Sequence, residues 1–128
     1  MNIDLMAAKT AQEIIGGTDE IEPKTVENVV TKTLGVLQEN GVYACILYLY
    51  SRSNESDKLI SKITSEELLK TIDKLFGEIP KPEDSTSVEN VLNFLTDNIC
   101  SNIDRLFLTK QVWELTLIYA RYGAKARK

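Results

Sequence analysis

Apolar residues recur every three or four positions along nearly the whole of this 128-residue chain, and only three prolines and six glycines interrupt them. That period stacks large side chains on one side of a helix, whereas a half-buried strand would alternate every second residue. Alternating runs are hard to find. The expectation is an all-α fold, a compact single-domain bundle of six or seven helices over residues 1–128 with a long C-terminal helix. The length suits one domain that buries about two-thirds of its unfolded surface. A hydrophobic content of 43% and a charged content of 27% argue against disorder over the whole chain.

The helices can be read in order. Ile3 to Ile15 forms the first and stops at Gly16-Gly17. Asp19 to Glu22 is an acidic linker, and Pro23 fits the first turn of the second helix, where its missing N–H is not needed. There Val26, Val29, Val30, Thr33, Leu34 and Leu37 share a face, and Asn40-Gly41 ends the run. Val42 to Tyr50 is apolar all round. Its tyrosines and Ile46 would suit a strand. A helix is preferred, because every neighbour is helical and a lone strand leaves its backbone groups unpaired. Such a helix must be wrapped by the others, with most of its aromatics in the core. A tyrosine platform for stacking bases is the alternative.

After a polar turn at Ser51 to Glu55 comes a short helix with Leu59, Ile60 and Ile63. Thr64 with Glu67 reads as a capping box that opens another, carrying Leu68, Leu69, Ile72, Leu75 and Phe76 and closed by Gly77. Glu78 to Ser85, with Pro80 and Pro82, is a loop. Thr86 with Glu89 makes a second capping box ahead of Val88, Val91, Leu92, Leu95 and Ile99, and Asn98 to Asn102 is a break or kink.

The chain contains no histidine, which excludes Ser-His and Cys-His nucleophile pairs, histidine acid–base catalysis and most zinc sites. No phosphate-loop, dinucleotide or nucleophile-elbow motif is present, so neither an enzyme nor a cofactor is expected. Cys45 and Cys100 are isolated and flanked by apolar residues, which suits buried thiols in a reducing compartment. The longest apolar run, nine residues from Val42 to Tyr50, is too short to span a membrane. Met1-Asn2-Ile3-Asp4 lacks the start of a secretory signal, so a cytoplasmic location is expected.

Charge is distributed unevenly. From Arg105 to the end there are six basic residues and one acidic, against nine basic and eighteen acidic before it. Leu108, Val112, Leu115, Tyr119 and Tyr122 draw an apolar stripe on the last helix, Leu106 to Lys128. At roughly 100° per residue, Lys110, Arg121, Lys125 and Lys128 fall within about 60° of one another on the opposite side. A cationic strip on an acidic protein can select a polyanionic partner. Most such stripes are only solvated surface, and cations at a helix C-terminus are favoured whatever the function. Glu114 is placed to pair with Lys110 and dilute the field. Arg52, Lys58 and Lys62 form a second, looser basic group interrupted by Glu55 and Asp57. Neither group has a base-reading pattern, so nucleic acid would be met through its backbone.

Two stretches carry a family resemblance. From Gly35 to Arg52, Asn40-Gly41 ends one helix and an apolar helix then runs into Ser51-Arg52. Leu108-Thr109-Lys110-Gln111-Val112 is continued by Tyr119-Ala120-Arg121-Tyr122-Gly123-Ala124. Together they resemble the central and C-terminal motifs of the small all-helical subunit of type III-B (Cmr) CRISPR effector complexes. Ala7, Ala8 and Lys9 fit the family's opening helix more loosely.

The resemblance implies a non-catalytic subunit that stacks with further copies of itself. It would lie beside the backbone subunit that holds the guide RNA, touching guide or target RNA in antiviral defence. By position, Arg52, Arg121, Lys9 and Lys110 match basic places in the family pattern; Lys125 and Lys128 rest on the helical-face argument alone. The chain departs in being net acidic and in carrying tyrosine where relatives have phenylalanine or leucine. The same architecture serves the small subunit of the type III-A (Csm) complex, which remains an alternative. So does a helical adaptor that binds only protein, docking through Trp113 and the tyrosines. Trp113 lies off the apolar stripe, which leaves it either an interface anchor or a core residue.

Overall fold

The computed structural model describes residues 2–80 and 87–127, and every regular element among them is helical. They are α1 (Ile3–Gly17), α2 (Pro23–Asn40), α3 (Val42–Tyr50), α4 (Glu55–Leu75), α5 (Val88–Leu95), a π-helical turn (Thr96–Cys100) and α6 (Ile103–Ala126). The all-α bundle with a long C-terminal helix is as expected. No described helix is long and apolar enough to cross a membrane.

Short polar residues fix where most helices begin. Asn2 accepts from Leu5 N at 2.9 Å, Asn54 from Ser56 N at 3.0 Å, Ser87 from Asn90 N at 3.3 Å, and Asn102 from Asp104 N at 3.1 Å. Pro23 opens α2. Two caps differ from expectation. The second capping box fell on Thr86, which lies outside the described residues, and the cap itself is Ser87. Thr64 starts nothing: α4 runs through it for 21 residues, Thr64 faces the core, and Glu67 pairs with Lys70 at 3.0 Å. One apolar stripe through Ile60, Thr64, Leu68, Ile72 and Leu75 outweighs the local capping signal.

A single residue turns the chain between α2 and α3. Gly41 sits at φ 96°, ψ −171°, a region essentially closed to side-chain-bearing residues. It closes α2 by donating to Leu37 O at 2.9 Å and opens α3 by accepting from Cys45 N at 3.0 Å. α3 then buries Val42, Cys45, Ile46 and Leu49, one helical face only. Tyr43 and Leu47 are exposed, and Tyr48 and Tyr50 half-buried, so the helix is not wrapped and its aromatics stay out of the deep core.

α6 packs most extensively against α1 and α2, with α4 on a third side. Its buried face is Thr109, Val112, Trp113, Thr116, Leu117, Ala120 and Ala124. That face is rotated by roughly a third of a turn from the expected stripe. Leu108, Leu115 and Tyr119 are only partly covered, and Tyr122 is 62% exposed. Part of the reason is that four of the seven buried positions are threonine or alanine, which carry little hydrophobic signal, with Trp113 the large exception. A threonine in mid-helix can satisfy its hydroxyl on the preceding turn, as Thr116 does on Val112 O at 2.8 Å, and then packs like a small apolar group. Trp113 is fully buried, and its indole donates to Thr71 Oγ1 at 2.8 Å and Leu68 O at 3.0 Å. It is a core residue, not an interface anchor.

Candidate anion interface

The rotation of α6 changes what its cations can do. Lys110 and Arg121 lie beside the buried face instead of opposite it, and both are half-buried. Lys110 has no ion-pair partner among the described residues, so the expected pairing with Glu114 is not made. The buried Nε of Arg121 has no hydrogen-bond partner among the described residues. Lys125 is exposed but paired with Glu27 of α2 at 3.7 Å, a carboxylate that also meets Lys24 at 3.8 Å. Lys9 is exposed on α1, and Lys128 lies outside the described residues. Arg127 is spent on structure: its guanidinium donates to Thr18 O at 3.2 Å, Ile21 O at 3.4 Å and also Asp19 O, tying the linker before α2 to the end of α6.

The looser basic group is the better organised one. Where α3 ends against the first half of α4, a cleft of about 390 Å³ is lined by Arg52, Lys58, Lys62, Tyr50, Ser61 and Ser65, with Leu49 and Glu66. The guanidinium of Arg52 lies 4.8 Å from the centroid of the Tyr48 ring, a cation–π contact that fixes its plane. Asp57 Oδ2 stands 3.6 Å from one terminal nitrogen, too far for a hydrogen bond. The Arg52 Nε is buried without a partner, and so is Ser61 Oγ. Ser61 is 2% exposed. Ser65 donates to Lys62 O at 3.0 Å, and burial is the main cause of the raised pKa of Tyr50. Nothing in this set is a nucleophile–base pair. Among the described residues, no three Cys, Asp or Glu side chains converge as metal ligands would.

A second cleft, of about 480 Å³, lies between α1 and α6 and is lined mainly by Ala8, Ala11, Ile15, Gly16, Tyr119 and Gly123. It is largely apolar. At its edge the Tyr119 hydroxyl donates to the Asp4 carboxylate, a bond that raises the tyrosine's pKa.

Of the residues singled out in the sequence, Arg52 is joined in one cleft by Lys58 and Lys62, while Lys9 on α1 and Lys110, Arg121 and Lys125 on α6 lie outside that cleft. Ser61 was missed. Lys58, Ser61, Lys62 and Ser65 fall on one side of α4 at three- and four-residue steps, a signal hidden when the helix is taken to restart at Thr64. In comparisons with known proteins, no family model, no curated protein and no solved structure matches this chain.

Proposed function

We propose that this chain is a non-catalytic helical subunit of a type III-B (Cmr) CRISPR effector, stacked beside the guide-holding subunit and touching guide or target RNA through phosphates. One observation carries the reading. The two arginines that the family resemblance marks, Arg52 and Arg121, are both half-buried with a buried Nε that no protein group satisfies. A guanidinium held in place with an unsatisfied donor is suited to phosphate oxygens once the side chain turns that donor outward. A solvated surface arginine would have water on that donor and a mobile stem.

The acidity of the chain as a whole, net −4, works against tight binding by one copy. Weak contacts repeated along a filament suffice, because each added copy binds at high effective concentration. The cations carry no base-reading pattern, so affinity should be indifferent to sequence and fall steeply with salt.

Crosslinking tests this directly. The chain is assembled with the guide-holding subunit and guide RNA, irradiated, and its crosslinked peptides mapped. Adducts on peptides containing Arg52 or Arg121 support RNA contact. Assembly without any RNA adduct on this chain removes it, and failure to assemble removes subunit membership. Preference for the type III-A backbone subunit would move the assignment to that complex.

A protein-only adaptor keeps one supporting observation. Ile103 and Phe107, one turn apart on α6, are each more than 60% exposed, an apolar spot that a partner could cover. Trp113 no longer belongs to that reading, because it is fully buried.

A further inference from the structure

We infer that the cleft between the end of α3 and α4 is a seat for one phosphate group. The inference deepens the RNA-contact reading, since a strand's phosphodiester is one source of that group. It begins from three cations, Arg52, Lys58 and Lys62, lining a single concavity with one carboxylate, Glu66, beside them. Counting Asp57 as well, the local balance stays positive by one. Two of the lining residues also carry a buried donor with no partner among the described residues, Ser61 Oγ and Arg52 Nε. A buried polar group without a partner destabilises the fold unless something else satisfies it.

Geometry narrows the class of ligand. Tyr48 holds the Arg52 plane from one side, and the long contact to Asp57 orients the guanidinium without consuming its donors. Arg52, Lys58, Lys62 and Ser61 line one space, three of them charged. A planar carboxylate offers two oxygens to such a ring of donors, whereas a phosphate offers three or four at tetrahedral angles. Lys58 and Lys62, one turn apart on α4, supply charge from one wall, and Arg52 supplies it from the other. Ser61 Oγ and Arg52 Nε are shielded from solvent, so binding must turn both side chains to bring these donors onto an oxygen.

The test uses the full 128-residue chain, labelled for amide NMR and titrated at fixed ionic strength with inorganic phosphate and, separately, with a short single-stranded RNA. Expected are saturable shifts confined to residues 50–66 with phosphate and at the same amides with RNA. Ser61→Ala is the discriminating variant, because Ser61 Oγ makes no bond within the protein. It should melt at or above the parent in chloride yet bind phosphate about tenfold more weakly. Arg52→Gln should lose about tenfold or more.

Shifts with phosphate alone support the seat and assign it to free phosphate, leaving RNA contact to α6. RNA shifts confined to α6, with neither probe moving residues 50–66, overturn the seat while sparing the RNA-contact reading. Silence from both probes overturns the seat as well. Unchanged phosphate affinity in both variants also overturns it.

Discussion

Replacing two glycines by alanine should move stability in opposite directions, and only the backbone at each site explains the sign. Gly41 is held at φ 96°, ψ −171°, and a Cβ added there meets nothing within 4 Å. The penalty for Gly41→Ala is therefore torsional and not steric, about 1–3 kcal/mol. Gly35 lies inside α2, and its added Cβ also meets nothing within 4 Å. Gly35→Ala removes unfolded-state freedom at no steric expense and should gain about 0.5–1 kcal/mol. Urea unfolding followed by circular dichroism reads both. With a slope near 2 kcal/mol per molar, a loss of 2 kcal/mol lowers the midpoint by about 1 M. The slope itself should not change. If Gly41→Ala were as stable as the parent, or if both variants moved the same way, the one-residue reversal between α2 and α3 would not be the constraint argued above.

Three further outcomes are expected. Trp113→Phe removes an indole donor bonded to Leu68 O and Thr71 Oγ1 and leaves space in the core, so it should cost about 2–3 kcal/mol in the same urea assay. A loss under 0.5 kcal/mol would show that those bonds contribute little. The Tyr119 hydroxyl, bonded to Asp4, titrates above its ordinary 10.0. A group whose folded pKa is raised stabilises fully below the unfolded pKa and loses that contribution as pH climbs through the folded value. Asp4→Asn should therefore move one tyrosine's absorbance titration downward and flatten the alkaline fall in melting temperature. Burial pushes the Cys45 thiol up to about 12, while Cys100 is less deeply buried. A thiol reagent at pH 8 should label Cys100 well before Cys45, and equal rates would contradict the packing of α3.

What could be read from sequence depended on how bulky each buried face is. α2 shows its face plainly: Val26, Val29, Val30, Thr33, Leu34 and Leu37 are all buried, between a proline start and a glycine stop. α6 hid its face because four of its seven buried positions are threonine or alanine, which look polar or neutral in a hydrophobicity pattern. Large residues such as Phe107 and Tyr122 were left outside. α4 was cut in two by a capping motif at Thr64 whose local preference is worth less than the continuous stripe it interrupts. Arg52 stood out as a basic residue after an apolar helix. Ser61 did not, since a serine between lysines reads as surface until packing buries it.

The rod against which α1 and α2 pack is made long after them. Asn40 and Ile103 stand 63 positions apart, so at ribosomal speed roughly 3–13 s separate the emergence of α2 from the first turn of α6. For that interval α3 and α4 can cover part of both early helices, but the flanks that face α6 have no permanent cover. Isolated helices of this length are marginal in water, and the core cannot close until synthesis has passed Ala124. A ribosome stalled within α6 would thus present a sticky, half-assembled bundle, an obvious client for chaperones.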